Sequence, residues 1–88
     1  VVQEARALFD RGALLLDVRT PGEFDSGHVH GAVNIPVQSL AQRLGELPST
    51  DQPIVVYCHS GGRSASAASM LRQAGWTDVR DVGPMPHW

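Results

Sequence analysis

Eighty-eight residues with 42% hydrophobic and 18% charged content are enough for one small folded domain, taken here as residues 1–88, and are unlike a disordered chain. A net charge of -2 argues against nucleic acid and acidic membrane surfaces as partners, and no apolar run is long enough to span a bilayer. A single cysteine excludes an internal disulfide, so packing alone must hold the fold, and a free thiol fits a reducing cytoplasm. The first residue is valine rather than methionine, as in a chain trimmed or excised from something longer.

Along the chain, Val2, Ala5, Leu8 and Phe9 form a helical stripe that Gly12 ends. Ala13-Leu14-Leu15-Leu16-Asp17-Val18 is an almost unbroken apolar run, the pattern of a strand covered on both faces. Thr20-Pro21-Gly22-Glu23 has the form of a capping box, with Thr at the N-cap, Pro at the first helical position and Glu at the third. Ala32-Val33-Asn34-Ile35-Pro36 reads as a brief second strand stopped by proline. Leu40, Leu44 and Leu47 then share a helix face behind Ser39 as cap. A third strand spans Ile54-Val55-Val56-Tyr57. Residues 64–74 follow as a helix ended by Gly75, and residues 79–82 as a last strand. Helices alternating with short apolar strands imply an α/β fold with a small parallel sheet covered on both faces. In such sheets, function gathers outside the carboxyl ends of the strands.

Cys58 stands at such an end. It opens Cys58-His59-Ser60-Gly61-Gly62-Arg63, between an apolar strand and a helix rich in small residues. A thiol there faces unpaired backbone N–H groups and the positive end of a helix dipole, both of which favour the nucleophilic thiolate. Glycines at 61 and 62 permit positive φ and a close curl of N–H groups around the sulfur. The segment therefore predicts covalent chemistry through sulfur, with the thiolate largely formed at neutral pH.

Several motifs then agree in order: Leu15-Leu16-Asp17-Val18-Arg19, Glu23-Phe24, Gly27-His28-Val29, Gly31-Ala32-Val33-Asn34-Ile35-Pro36, and Cys58 with Gly62-Arg63-Ser64. Together they resemble a single-domain rhodanese. The resemblance implies a three-layer α/β/α fold and a sulfurtransferase. Its cysteine would take a sulfane sulfur from a donor such as thiosulfate and hold it as a persulfide. Cyanide, a thiol or a thiol-bearing protein would accept that sulfur, with no metal or organic cofactor. Alternatives are a sulfur-carrying or regulatory module serving a protein partner, or a small phosphatase or arsenate reductase. Those last enzymes are linked by the resemblance to a loop one residue longer than the four that separate Cys58 from Arg63 here.

Residue by residue, the resemblance leaves Cys58 as the catalytic group, with His59, Ser60, Gly61, Gly62 and Arg63 forming the substrate-binding loop. Arg63 has two readings: its fork of donors binds the sulfonate end of thiosulfate, or it turns inward to pair with a carboxylate such as Asp17. Ser60 is read as reaching the bound sulfur and Ser64 as a helix cap. Asp17 and Arg19 are read as a structural anchor. Glu23 stands near a position where larger relatives place a basic residue. His28 and His30 lack the further ligands a metal site needs. At the end of the chain, Gly83-Pro84-Met85-Pro86-His87-Trp88 resembles a turn that carries a second glycine where Pro84 stands, with Met85 and Trp88 as a candidate apolar rim.

Overall fold

The two inner strands of the sheet are built from residue runs that alternate between two apolar layers. In the computed structural model, which describes residues 2–87, helix α1 (Val2–Asp10) precedes strand β1 (Leu14–Asp17) and the short helix α2 (Pro21–Asp25). Strand β2 (Val33–Asn34) and helix α3 (Val37–Leu40) follow, with a 3-10 turn at Ala41–Glu46. Strand β3 (Ile54–Cys58), helix α4 (Gly62–Gln73) and strand β4 (Val79–Pro84) complete the order. The strands form one parallel four-stranded sheet in the order β2-β1-β3-β4. Leu16 pairs with Val56 and Asp17 with Tyr57 at its centre.

Side chains at i and i+2 of a strand share a face. Leu16 and Val18, with Ile54, Val56 and Cys58, therefore pack on one side with Leu40 and with Ala67, Ala68 and Leu71 of α4. Leu15, Val55 and Tyr57 pack on the other side with Ala5, Leu8 and Phe9 of α1. Helices thus cover both faces, giving the three-layer α/β/α arrangement expected from the sequence. Among the described residues, no helix is long and apolar enough to cross a membrane.

The element boundaries differ from the sequence reading in instructive places. Val2, expected on the apolar stripe, is 42% exposed, because α1 turns only Ala5, Leu8 and Phe9 toward the sheet. Helix α3 starts before Ser39, which lies within it rather than capping it; Pro36 occupies the N-cap position, with φ -56°. The segment through Leu44 and Leu47 is not one helix. It kinks at Arg43 (φ -115°) and tightens into the 3-10 turn, so Leu44 and Leu47 reach the core only at its margin. Helix α4 starts two residues before Ser64, because Gly61 at φ 102° completes the turn alone. Gly75, at φ 114°, ends the helix as expected.

Candidate active site

Strand β3 delivers Cys58 to the carboxyl edge of the sheet, on the face covered by α4. The chain reverses through His59, Ser60 and Gly61 and enters α4 directly, so the first turn of that helix lies against the sulfur. The Gly61 N–H donates to Cys58 Sγ at 2.9 Å, and the Ser60 and Ser64 N–H groups also face it. The Ser64 hydroxyl is 3.4 Å from Sγ and 3.1 Å from the Gly61 carbonyl oxygen. That hydroxyl has one proton. In the thiol state the S–H donates to Ser64 Oγ, which donates to Gly61. Ionisation removes the S–H and leaves the hydroxyl free to turn its proton to the thiolate.

The side chain of Cys58 is fully buried. Burial pushes its thiol up, but the Ser64 hydroxyl and the N–H groups of Ser64, Gly61 and Ser60 outweigh it, leaving the group below its ordinary value. Directed donors beat desolvation because each acts on the anion at contact distance. The cradle needs one glycine rather than two. Gly61 has positive φ, whereas Gly62 is an ordinary residue of the first helical turn. Gly61 also faces Gly83, which has φ 75°: a β-carbon at 61 would stand 3.8 Å from the Gly83 α-carbon. The end of β4 therefore backs the loop, with Pro84 in register beside Cys58.

Arg63 turns inward, but its partner is Glu23 and not Asp17. Arg63 Nη1 donates to Glu23 Oε1 at 2.7 Å and Nη2 to Oε2 at 3.0 Å. Both side chains are about one-third exposed, at 33% and 34%. Glu23 is fixed from its own element as well: the Thr20 N–H donates to Oε1 at 3.0 Å, and the Glu23 N–H donates to Thr20 Oγ1 at 3.2 Å. The capping box read from the sequence is thus complete. Arg63 first, then the Thr20 N–H, hold the Glu23 carboxyl down at about 2. Asp17 is unavailable to Arg63 because Arg19 takes it, with Nη2 2.8 Å from Oδ2. Arg19 also donates to the Gly27 carbonyl at 2.7 Å and lies over the Tyr57 ring, 5.6 Å from its centroid. Burial pushes the Tyr57 hydroxyl up to about 12, and it accepts from the Val29 N–H at 3.2 Å. This group anchors α2 and its following loop to β1 and β3.

The remaining expected site residues are dispersed. His59 and the Ser60 side chain are exposed at the mouth of the loop. The His28 ring stacks on Phe24 at 3.6 Å, and its Nδ1 is 2.8 Å from the Phe24 carbonyl oxygen. Among the described residues, no group of three or more His, Cys, Asp or Glu side chains could hold a metal ion. Met85 does not rim the sulfur: it packs with Leu15, Val55 and Tyr57 on the face covered by α1. Trp88 lies outside the described residues. Two contributions escaped the sequence reading, the Ser64 hydroxyl on the sulfur and Glu23 as the partner of Arg63. The capping box marks Glu23 as fixed, but no local signal connects it to a residue forty positions away.

The family model for the rhodanese-like domain matches residues 1–83. The chain is 44% identical over 87 residues to the uncharacterized protein YqhL of Bacillus subtilis, covering 98% of this chain and 68% of that one. It is 40% identical to the thiosulfate sulfurtransferase GlpE of Pseudomonas syringae, covering 91% of this chain and 74% of the relative. Among solved structures, the human single-domain sulfurtransferase TSTD1 superposes with a TM-score of 0.78 at 32% identity, over 90% of this chain and 82% of the other. A reduced Bacillus anthracis CoADR-RHD structure matches with a TM-score of 0.82 at 37% identity, over 92% of this chain and 14% of that far longer one. The match runs along almost the whole chain, through the parallel sheet and the loop that Gly61 closes at Cys58: the chain belongs to the rhodanese-like domain family.

Proposed function

We propose that the protein is a sulfurtransferase in which Cys58 carries the transferred sulfur as a persulfide. The observation that carries this reading is the set of donors aimed at Cys58 Sγ, led by the Gly61 N–H at 2.9 Å. Those donors favour an anion at the sulfur, and both the free thiolate and the outer sulfur of a persulfide are anions. Loading begins when the thiolate attacks the sulfane sulfur of a donor such as thiosulfate. A new S–S bond forms, the bond to the sulfonate sulfur breaks, and sulfite leaves with the electron pair. An acceptor such as cyanide then attacks the outer sulfur, the persulfide bond breaks, and the thiolate is regenerated with release of thiocyanate. Charge and atoms balance in both halves, and no cofactor takes part.

His59, Ser60, Gly61, Gly62 and Arg63 form the loop around the reacting sulfur, Gly61 and Ser64 being the groups that touch it. Four residues between Cys58 and Arg63 make a tighter ring than phosphate chemistry uses in the related enzymes, which favours sulfur over phosphate esters. A working thiol fits a reducing compartment such as the cytoplasm. The test is intact-mass spectrometry after incubation with thiosulfate, followed by cyanide. One added sulfur atom that cyanide removes as thiocyanate is expected, and Cys58→Ala abolishes both steps. Thiocyanate production undiminished in that variant sinks the reading.

A further inference from the structure

The loop contains one arginine, and the pair it makes bears on the donor. Arg63 is the residue whose planar fork would grasp the oxyanion end of thiosulfate, yet both arms of that fork are on Glu23, at 2.7 and 3.0 Å. Glu23 does not follow Arg63 passively, because the Thr20 N–H and the turn of α2 hold its carboxylate from the other side. The second arginine at this end of the sheet, Arg19, is engaged in the same way by Asp17 and the Gly27 carbonyl. With Cys58 ionised, the thiolate, Arg63 and Glu23 sum to one negative charge. A dianion entering there meets repulsion that the loop cation does not offset.

We infer that Glu23 is a positioning residue that sets donor specificity, occupying Arg63 so that the site favours an alkyl hydropersulfide over thiosulfate. This rests on the sulfurtransferase reading above. A hydropersulfide, R–S–SH, needs no oxyanion site. The Cys58 thiolate attacks its terminal sulfur, the donor S–S bond breaks, and R–S⁻ leaves with the electron pair while the proton stays on the transferred sulfur. The product ionises in the cradle to Cys58–S–S⁻, releasing that proton to solvent, and no oxidant or reductant is consumed.

Glu23→Gln separates the charge from the cap. Glutamine keeps an Oε1 acceptor for the Thr20 N–H, as capping boxes allow, but its amide NH₂ replaces Oε2 and opposes Arg63 Nη2, and loss of the carboxylate charge weakens the hold on the guanidinium. Loading of wild type and E23Q is followed by intact mass against donor concentration, using thiosulfate and the hydropersulfide of 2-mercaptoethanol. The runs are made at pH 8 and low salt, where charges are least screened. In E23Q the selectivity for thiosulfate over hydropersulfide rises about tenfold, through a lower half-saturating thiosulfate concentration rather than a faster maximal rate. Equal selectivity in the two proteins, with both donors loading Cys58, overturns the inference and leaves the sulfurtransferase reading intact. Failure of both donors to load the wild-type chain overturns both readings, and failure of the hydropersulfide alone overturns the inference. The wild-type chain supplies a second measurement that does not depend on folding of the variant. Salt screens the repulsion of a dianion, so thiosulfate loading speeds up as ionic strength rises; a rate that falls with salt means an open cation receives the donor, and overturns the inference.

Discussion

At Cys58, two opposing physical effects meet within one side chain. Full burial resists ionisation, while a hydroxyl and three backbone donors favour it, and the donors win. Alkylation by iodoacetamide, followed against pH, should therefore level off with a midpoint below the value of about 8.5 for a free cysteine. Ser64→Ala removes the hydroxyl and should move that midpoint upward, slowing alkylation at neutral pH by roughly tenfold, the scale of one hydrogen bond to a charge. A midpoint that does not move would mean the backbone N–H groups alone hold the anion. The adjacent glycines make a second contrast. Gly61→Ala must adopt φ near 102° and should cost about 1–3 kcal/mol. At Gly62 a β-carbon meets nothing within 4 Å, and the residue is helical, so Gly62→Ala should stabilise the fold by about 0.4–1 kcal/mol. Urea denaturation of the two variants distinguishes a cradle built on one glycine from one built on both.

Helix α2 has only five residues and no fully buried side chain. Its place depends on the capping box, on Phe24 stacked with His28, and on the Glu23–Arg63 pair that ties it to α4. The pairing gives its stability a definite pH dependence. Glu23 titrates near its ordinary 4.5 when the chain is unfolded and at about 2 when folded, so the unfolded state binds the proton more readily. The contribution of the pair is complete above the unfolded value and drains away as pH falls toward about 2. Thermal unfolding of wild type and Glu23→Gln should show a gap at pH 6 that narrows steadily below pH 4.5 and closes near 2. A constant gap would show that glutamine disturbs packing rather than charge.

Across the molecule, two apolar layers hold a sheet whose inner strands, β1 and β3, pass residues alternately to each side. The layer under α4 carries the Cys58 sulfur as one of its members, so core packing and the geometry of the candidate site are one structure. Leu71 of α4 is fully buried there. Leu71→Ala should destabilise by about 2–5 kcal/mol, a large share of the roughly 5–15 kcal/mol available to a small domain. The variant should lose sulfur loading in parallel with the folded fraction, which chemical denaturation read beside intact mass can check. Loading that collapses while the protein remains folded would indicate that Leu71 aims the helix rather than merely filling space.

The sequence alone determined the parallel α/β layering, the place of Cys58 at a strand end and the capping box at Thr20. Each follows from local periodicity or from residues a turn apart, and such short-range rules act wherever the chain lies. It could not determine which carboxylate Arg63 takes. Asp17, Asp81 and Glu23 are all chemically suitable, and the choice depends on Arg19 claiming Asp17, on the Gly83 N–H donating to Asp81 at 2.9 Å, and on α2 presenting Glu23 beside α4. Nor could it place Met85, whose side of the sheet turns on the register of β4. That register slips between Val56 and Tyr57, where Val82 is the extra residue. One added residue changes which side chains face which layer, because strand periodicity is two. Pairings between distant segments are fixed only when the layers close, and here they decide that the Arg63 fork is held by Glu23.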